Sequence, residues 1–239
     1  MREREDAFGR ALLDQFERGE ARIVVERDDG YVETETIAWY FGGLRQWHPS
    51  ERQALRHVRG RVLDIGAGAG RAALELQRRG HEVVAVDISP LAIDVCRKRG
   101  VRDARVLTVT KIDSSLGTFD TVALFGNNFG LFATARRARW MLQRLRAVTA
   151  PGARIIAVSY DPYGTKNPAD LAYFQQNRKR GRLGGQIRLR VRYKAYATPW
   201  VDYLMVSLDE MREIVSGTGW EVDQVFTDDD FFVGVIARS

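Results

Sequence analysis

Residues 61–71 read Arg61-Val62-Leu63-Asp64-Ile65-Gly66-Ala67-Gly68-Ala69-Gly70-Arg71, and this stretch decides the fold. Val62-Leu63-Asp64-Ile65 is a short apolar run containing one acid, the length of a buried strand. Glycines at Gly66, Gly68 and Gly70 let backbone approach a ligand closely, and amides pointing outward are expected where the loop opens a helix over residues 71–79. A dinucleotide loop of the Gly-x-Gly-x-x-Gly kind that starts at Gly66 and Gly68 needs its third glycine at position 71, where this chain has Arg71. Charge argues the same way. A carboxylate at Asp64 repels a pyrophosphate but suits the ammonium end of a zwitterionic, amino-acid-like ligand.

Downstream, strand and helix patterns alternate. Residues 82–87 read as a strand ending in Asp87, whose carboxylate can accept hydrogen bonds from two adjacent ribose hydroxyls. A helix over 91–99, strands over 104–109 and 119–125, a helix near 133–148 and a strand over 154–160 continue the rhythm, which implies βαβ units and a parallel sheet. Ser207 and Glu210 form a capping box for a helix over 208–216, stopped by Gly217 and Gly219. The last two strands, 220–226 and 231–237, are joined by a short acidic turn and must pair antiparallel, because a parallel pair needs a crossover of a dozen or more residues.

Upstream, Phe8, Leu12, Leu13 and Phe16 share one face of a helix predicted over residues 2–18. Strands over 22–27 and 31–36 flank the turn Asp28-Asp29-Gly30. An aromatic, Gly-interrupted connector follows, Trp39-Tyr40-Phe41-Gly42-Gly43 to Trp47-His48-Pro49. Ser50 with Gln53 predicts a capping box at the start of a short helix. Residues 161–186 are the least regular part. Between residues 178 and 194 there are eight Lys or Arg and no acid, with Arg188, Arg190, Arg192 and Lys194 alternating against Ile187, Leu189, Val191 and Tyr193. That alternation describes a half-buried edge or hairpin strand paired with residues 200–206, its charged face guarding against aggregation. The competing reading is a surface for RNA phosphates or an anionic small substrate; the lack of aromatics on the charged face argues against base stacking.

Composition narrows the class. The chain has 239 residues, 45% hydrophobic and 28% charged, with a formal charge of +6 spread over many arginines rather than gathered in a tail. No apolar run approaches the roughly 20 residues of a membrane-spanning helix, the first six residues lack a secretory apolar stretch, and neither a membrane partner nor a metal is expected. Cytoplasmic residence is the default expectation. The single cysteine, Cys96, excludes an internal disulfide and falls at a packing position.

Taken together, the acidic loop at 62–70, the acid-terminated strand at 83–89, residues 118–130 and the final antiparallel pair resemble the class I S-adenosylmethionine (SAM)-dependent methyltransferases, over roughly residues 58–238. The resemblance implies an α/β, Rossmann-like fold: a seven-stranded, mostly parallel sheet with an antiparallel last strand. To it are added an N-terminal helix and β-hairpin and an inserted β-hairpin before the last helix. It divides the chain into an accessory or lid segment, 1–57, and a SAM-binding core, 58–239, with an insertion at 161–206. The implied cofactor is SAM, held by Asp64, Gly66, Ala67, Gly68, Gly70, Arg71, Asp87, Ile88, Thr110, Lys111, Ile112, Phe125, Gly126 and Asn127. Where family members often place an acid beside the adenine, this chain offers Thr110-Lys111-Ile112-Asp113, with Asp113 as a shifted substitute.

Because the sulfonium is already an activated electrophile, alignment of the acceptor and exclusion of water do most of the work, and a dedicated base is optional. Where a proton sink is needed, His48, Asp161 and Tyr40 are the candidates by position; with Asn128, whose amide can orient an acceptor without charge, His48 and Asp161 make up the catalytic candidates, and Tyr40, Asn128, Tyr160, Asp161 and Tyr163 are the candidate acceptor contacts. The leading expectation is a small-molecule acceptor. The rivals are an RNA methyltransferase using 178–194, a dehydrogenase with a degenerate dinucleotide loop, and a SAM-binding protein without catalysis.

Overall fold

The computed structural model describes residues 2–239. Among the described residues, seven α-helices and twelve strands run in the order α1 (Ala7–Arg18), β1 (Arg22–Arg27), β2 (Val32–Thr36), α2 (Pro49–Ala54), β3 (Val62–Ile65), α3 (Arg71–Arg78), β4 (Val83–Asp87), α4 (Pro90–Lys98), β5 (Asp103–Val106), β6 (Phe119–Leu124), α5 (Ala135–Leu145), β7 (Thr149–Tyr160), α6 (Pro168–Lys179), β8 (Gln186–Tyr193), β9 (Tyr196–Ala197), β10 (Val201–Leu204), α7 (Leu208–Val215), β11 (Trp220–Asp228) and β12 (Phe231–Arg238). A seven-stranded sheet has the order β11-β12-β7-β6-β3-β4-β5, and a second sheet runs β10-β8-β1-β2 with β9 beside β8. β4 and β5, and β6 and β7, pair parallel; β12 is antiparallel to both β7 and β11. This is the Rossmann-like sheet expected from the sequence, with an antiparallel last strand and added hairpins.

The chain forms two compact units. One comprises the residues up to Trp47, Leu63–Lys111 and Arg188–Val201; the other comprises His48–Val62, Ile112–Ile187 and Asp202–Ser239. Residues 1–57 therefore divide between the two.

In the first unit, α1 docks through Ala7, Ala11, Leu12 and Leu13 onto a buried cluster with Ile23, Ile37, Ala69, Ala92 and Val95. Asp6 fixes the junction. Its carboxylate accepts the Gly9 amide, capping α1, and also the Ser89 hydroxyl at 2.7 Å, while Ser89 Oγ accepts the Ala92 amide and caps α4. A Cβ at Gly9 would lie 2.0 Å from Ser89 Oγ, so the two helix starts can meet only over a glycine.

Four local expectations need correction. Ser50 does not cap α2: His48 is the N-cap residue, without a side-chain bond, and Pro49 starts the helix because its fixed φ suits the first turn. The Ser50 amide instead donates to Asp228, 2.6 Å away. The irregular segment after β7 contains the twelve-residue α6, capped by Asn167 ahead of Pro168. The strand expected over 104–109 stops at Val106, and a 3-10 turn takes Val109–Lys111. β8 does pair with β10 but is not an edge, because its other side joins β1 in the register Val24↔Arg192 to Arg27↔Leu189. Among the described residues, no helix is long and apolar enough to cross a membrane.

Candidate functional site

In the first unit the glycine-rich loop gathers most of the predicted cofactor residues. Gly66, Gly68 and Gly70 all adopt left-handed backbone, with φ of 75°, 54° and 79°. At Gly70 a Cβ would also meet Val101 Cγ2 at 2.7 Å, so both conformation and space require glycine. The expectation of outward amides fails for most of the loop. The Gly66 and Ala67 amides both donate to the Val86 carbonyl, the Gly70 amide to the Ala67 carbonyl, and the Gly68 amide to Asp87 Oδ2 at 2.9 Å. These amides are spent on holding the loop against the end of β4, so they form no open cradle for a phosphate.

Asp64 lies behind that loop, 1% exposed. Its carboxylate accepts a bond from the backbone of Ala73 in the first turn of α3, so the anion at this helix start is the protein's own. The other oxygen, Oδ2, has no hydrogen-bond partner. Burial drives the carboxyl up from 3.8 to about 7, with Arg71 opposing the shift and Asp87 adding to it. An uncompensated carboxylate oxygen in a buried site is costly unless a cationic donor meets it, and a ligand ammonium is such a donor.

Asp87 takes one backbone bond on each oxygen, Gly68 on Oδ2 and Ser89 on Oδ1, both at 2.9 Å. A carboxylate oxygen accepts more than one bond, so the pair can still receive two vicinal hydroxyls. Burial raises its pKa against those two bonds. Beside it, Ile88 is 55% exposed, an apolar side chain left open next to a polar site.

The aromatic connector lies over the same loop. The Tyr40 ring stands 3.5 Å from where a Gly68 Cβ would be and packs edge-on against Phe8. The Arg71 guanidinium lies 5.5 Å from the centre of Trp39 and 4.2 Å from that of the buried Trp47. Cys96 donates from Sγ to the Gly68 carbonyl, a packing role as expected. Thr110 and Lys111 belong to the 3-10 turn after β5.

In the second unit the loop after β6 is held from three directions. Gly126 and Asn127 are both left-handed, with φ of 65° and 66°. The Gly126 amide donates to the fully buried Glu51 at 3.3 Å, Asn127 Oδ1 accepts the Tyr160 amide at 3.2 Å, and the Asn127 carbonyl accepts the Tyr203 hydroxyl. The Tyr203 ring lies so close to Gly130 that a Cβ there would be 2.3 Å away. Asn128 begins the 3-10 helix Asn128–Phe132, Phe125 is buried, and Ile112 is buried with its carbonyl taken by Arg144.

The remaining candidates in this unit are largely engaged. His48 stacks on Phe231 with ring centres 4.0 Å apart. Asp161 caps a 3-10 turn by accepting the Tyr163 amide at 2.9 Å. The Tyr163 hydroxyl donates to Glu210, and Tyr160 remains 40% exposed. Asp113, offered as a substitute acid, accepts both the amide and hydroxyl of Ser115, which hold its carboxyl low. Sequence reasoning missed Glu51 and Tyr203. A lone acid in a short polar helix and a tyrosine in a paired strand carry no local mark of a distant backbone partner.

The methyltransferase domain family matches residues 62–152. Among curated proteins, the chain is 44% identical to a magnesium-protoporphyrin O-methyltransferase of Rhodobacter capsulatus over 26% of its own length and 30% of that protein. It is 31% identical to a demethylmenaquinone methyltransferase of Clavibacter sepedonicus over 56% of its own length and 55% of that protein. The chain thus spans from about a third to about half of these relatives. A solved SAM-dependent methyltransferase of Bacteroides fragilis, in complex with S-adenosyl-L-homocysteine, shares the fold across 100% of this chain and 97% of its own, at 24% identity and a TM-score of 0.84.

Proposed function

We propose that this chain is a class I SAM-dependent methyltransferase that transfers a methyl group to a small-molecule acceptor, a reading supported by the methyltransferase domain matched over residues 62–152. One observation carries the cofactor assignment: the unpartnered Oδ2 of buried Asp64, behind a loop whose amides are largely spent internally, asks for a cation and offers little to a pyrophosphate. Asp64 would take the cofactor's ammonium, Asp87 its ribose hydroxyls, and Gly66, Ala67, Gly68 and Gly70 would give the close backbone approach. Ile88 would cover one face of the adenine, with Thr110, Lys111 and Ile112 along its edge. Arg71 would keep Asp64 in a cationic field, and Phe125, Gly126 and Asn127 would complete the set. When bound, SAM supplies a methyl group already activated on a sulfonium.

What the chain must add is alignment and dryness. Tyr40, Trp39 and Trp47 suit a cover over the glycine loop, and residues 1–57 would act as the accessory segment. With Asp161 and His48 engaged in a cap and a ring stack, the reading favours transfer without a dedicated base; Asn128, Tyr160 and Tyr163 would then orient the acceptor. The small-molecule assignment draws support from the relatives' names, and from the fate of the basic strand. Arg190 chelates Glu26 with two 2.9 Å bonds, Arg192 reaches the same carboxylate, and Lys194 pairs with Asp14. Arginines compensated within the sheet have little left for RNA phosphates.

The test is calorimetry with SAM, S-adenosylhomocysteine and NADH, followed by incubation of radiolabelled SAM with fractionated metabolite pools and with total RNA. Binding of the first two ligands and label in the small-molecule fraction are expected. Heat from NADH alone would overturn the cofactor assignment, and label confined to RNA would overturn the acceptor class.

A further inference from the structure

Helix α5 and the turn after it, residues 135–148, contain five arginines and no acid. Ala138, Met141, Leu142 and Leu145 face the core, which leaves Arg136, Arg137, Trp140, Gln143 and Arg144 on the solvent side. Arg136, Trp140 and Arg144 follow one another at four-residue spacing, one above the other along the helix. Trp140 is 42% exposed, with the Arg144 guanidinium 5.0 Å from its ring centre. Arg144 is partly engaged, reaching the Ile112 carbonyl and the field of Asp113. The guanidinium groups of Arg136 and Arg137 have neither a hydrogen-bond nor an ion-pair partner among the described residues. Both sit in the first turn, where the helix dipole is positive and disfavours cations. Helix stability therefore does not account for them, in contrast to the compensated arginines of β8.

We propose that this face of α5 docks the protein on an anionic lipid surface. Arginine pairs with lipid phosphates while its stem lies along the interface, and an indole with one wet edge is the side chain best suited to headgroup depth. The two features supply separate signals, charge and one interfacial anchor, which together permit reversible attachment. Shape favours a bilayer over single-stranded nucleic acid. A bare helix face is convex and offers a single indole, whereas strand-binding proteins use a groove with successive stacking rings. The assignment revises the expectation of no membrane partner without implying a membrane span, and it does not depend on the identity of the methyl acceptor.

The full chain is to be sedimented with vesicles of phosphatidylcholine alone and with about a quarter phosphatidylglycerol, at low and high salt. Partition onto the anionic vesicles only, reduced by salt, is the expected result. Arg136→Gln with Arg137→Gln should lower it about thirtyfold, at roughly a factor of five to six per charge. Trp140→Ala should lower it several-fold, and Lys179→Gln with Arg180→Gln at the end of α6 should leave it unchanged. Because these positions are exposed, circular dichroism should report an intact fold in all three variants. Equal partition onto neutral vesicles, no partition, or loss through the α6 variant instead of the α5 variants would overturn the proposal. So would polyuridylate binding through α5 in the absence of vesicle binding.

Discussion

Two buried carboxylates in the same unit, Asp14 on α1 and Asp64 on β3, show how differently one fold can treat two buried acids. Both are at most 1% exposed. Around Asp14, burial raises the pKa, but hydrogen bonds from Lys194 and Tyr193 and the charges of Lys194 and Arg10 outweigh it, and the carboxyl ends below its ordinary value. Its Oδ1 makes no hydrogen bond yet lies 3.5 Å from Arg10 Nε. Around Asp64 the balance falls the other way: burial, helped by the charge of Asp87, outweighs the charge of Arg71 and one backbone bond, and the group rises to about 7. Asp14 finds its cations within the chain, whereas Asp64 keeps an unpartnered oxygen that, on the proposed function, receives one from the cofactor.

The largest expected effect is therefore at Asp64. Asp64→Asn should weaken SAM binding by about a hundredfold or more, the cost of losing a charge-assisted bond in a buried site, while raising the melting temperature of the ligand-free protein above pH 7. Calorimetry and thermal melts read the two halves, and near-normal SAM affinity would erase the contrast with Asp14. Asp14→Asn should do the reverse, costing about 2 kcal/mol in chemical denaturation because its partly exposed cations lose their counter-charge, with SAM affinity unchanged. Loss of affinity there would make both acids binding groups.

Asp87→Ala should weaken SAM binding about tenfold and speed hydrogen exchange at residues 66–70, because Asp87 also holds the Gly68 amide. Exchange unchanged from wild type would show that the loop stands without it.

The smallest effect follows from the titration of Asp64. A carboxyl near 7 in the free protein must ionise to meet an ammonium, so SAM affinity should be about tenfold lower at pH 6 than at pH 8. The stability linkage has the opposite sign. The folded state holds this proton more tightly than the unfolded one, so its contribution favours folding below about pH 4 and is lost as pH rises towards 7. Melts of wild type and Asp64→Asn across that range should diverge as pH increases, and parallel curves would contradict a raised Asp64.

Much of the sheet was legible because its rules are local. Asp64, the three glycines and Asp87 lie within 24 positions, and strand–helix alternation dictates parallel pairing. What the sequence hid depends on partners far away. Four apolar residues of α6, Leu171, Ala172, Tyr173 and Phe174, are consecutive, so they sweep round the helix instead of marking one stripe; Tyr173 and Phe174 are buried while Leu171 is exposed. The pairing of β1 with β8 joins residues about 165 apart, as in Val24↔Arg192, and no periodicity reports it. In the candidate site, the acids and glycines were visible as residue types. The internal use of the loop amides was not, since it depends on Val86 presenting its carbonyl to two of them.

The same long-range pairing governs the order in which the molecule can be finished. Strands β1 and β2 leave the ribosome ahead of β8 as a hairpin, with the β1 edge that later receives Leu189, Arg190, Val191 and Arg192 still bare. At roughly 5 to 20 residues per second, that edge waits about ten to thirty seconds for its partner. Over this interval the acids on its two strands, Glu26, Glu33 and Glu35, put charge on the open hairpin, which disfavours pairing between nascent chains, and Glu26 becomes an internal counter-ion only when Arg190 arrives.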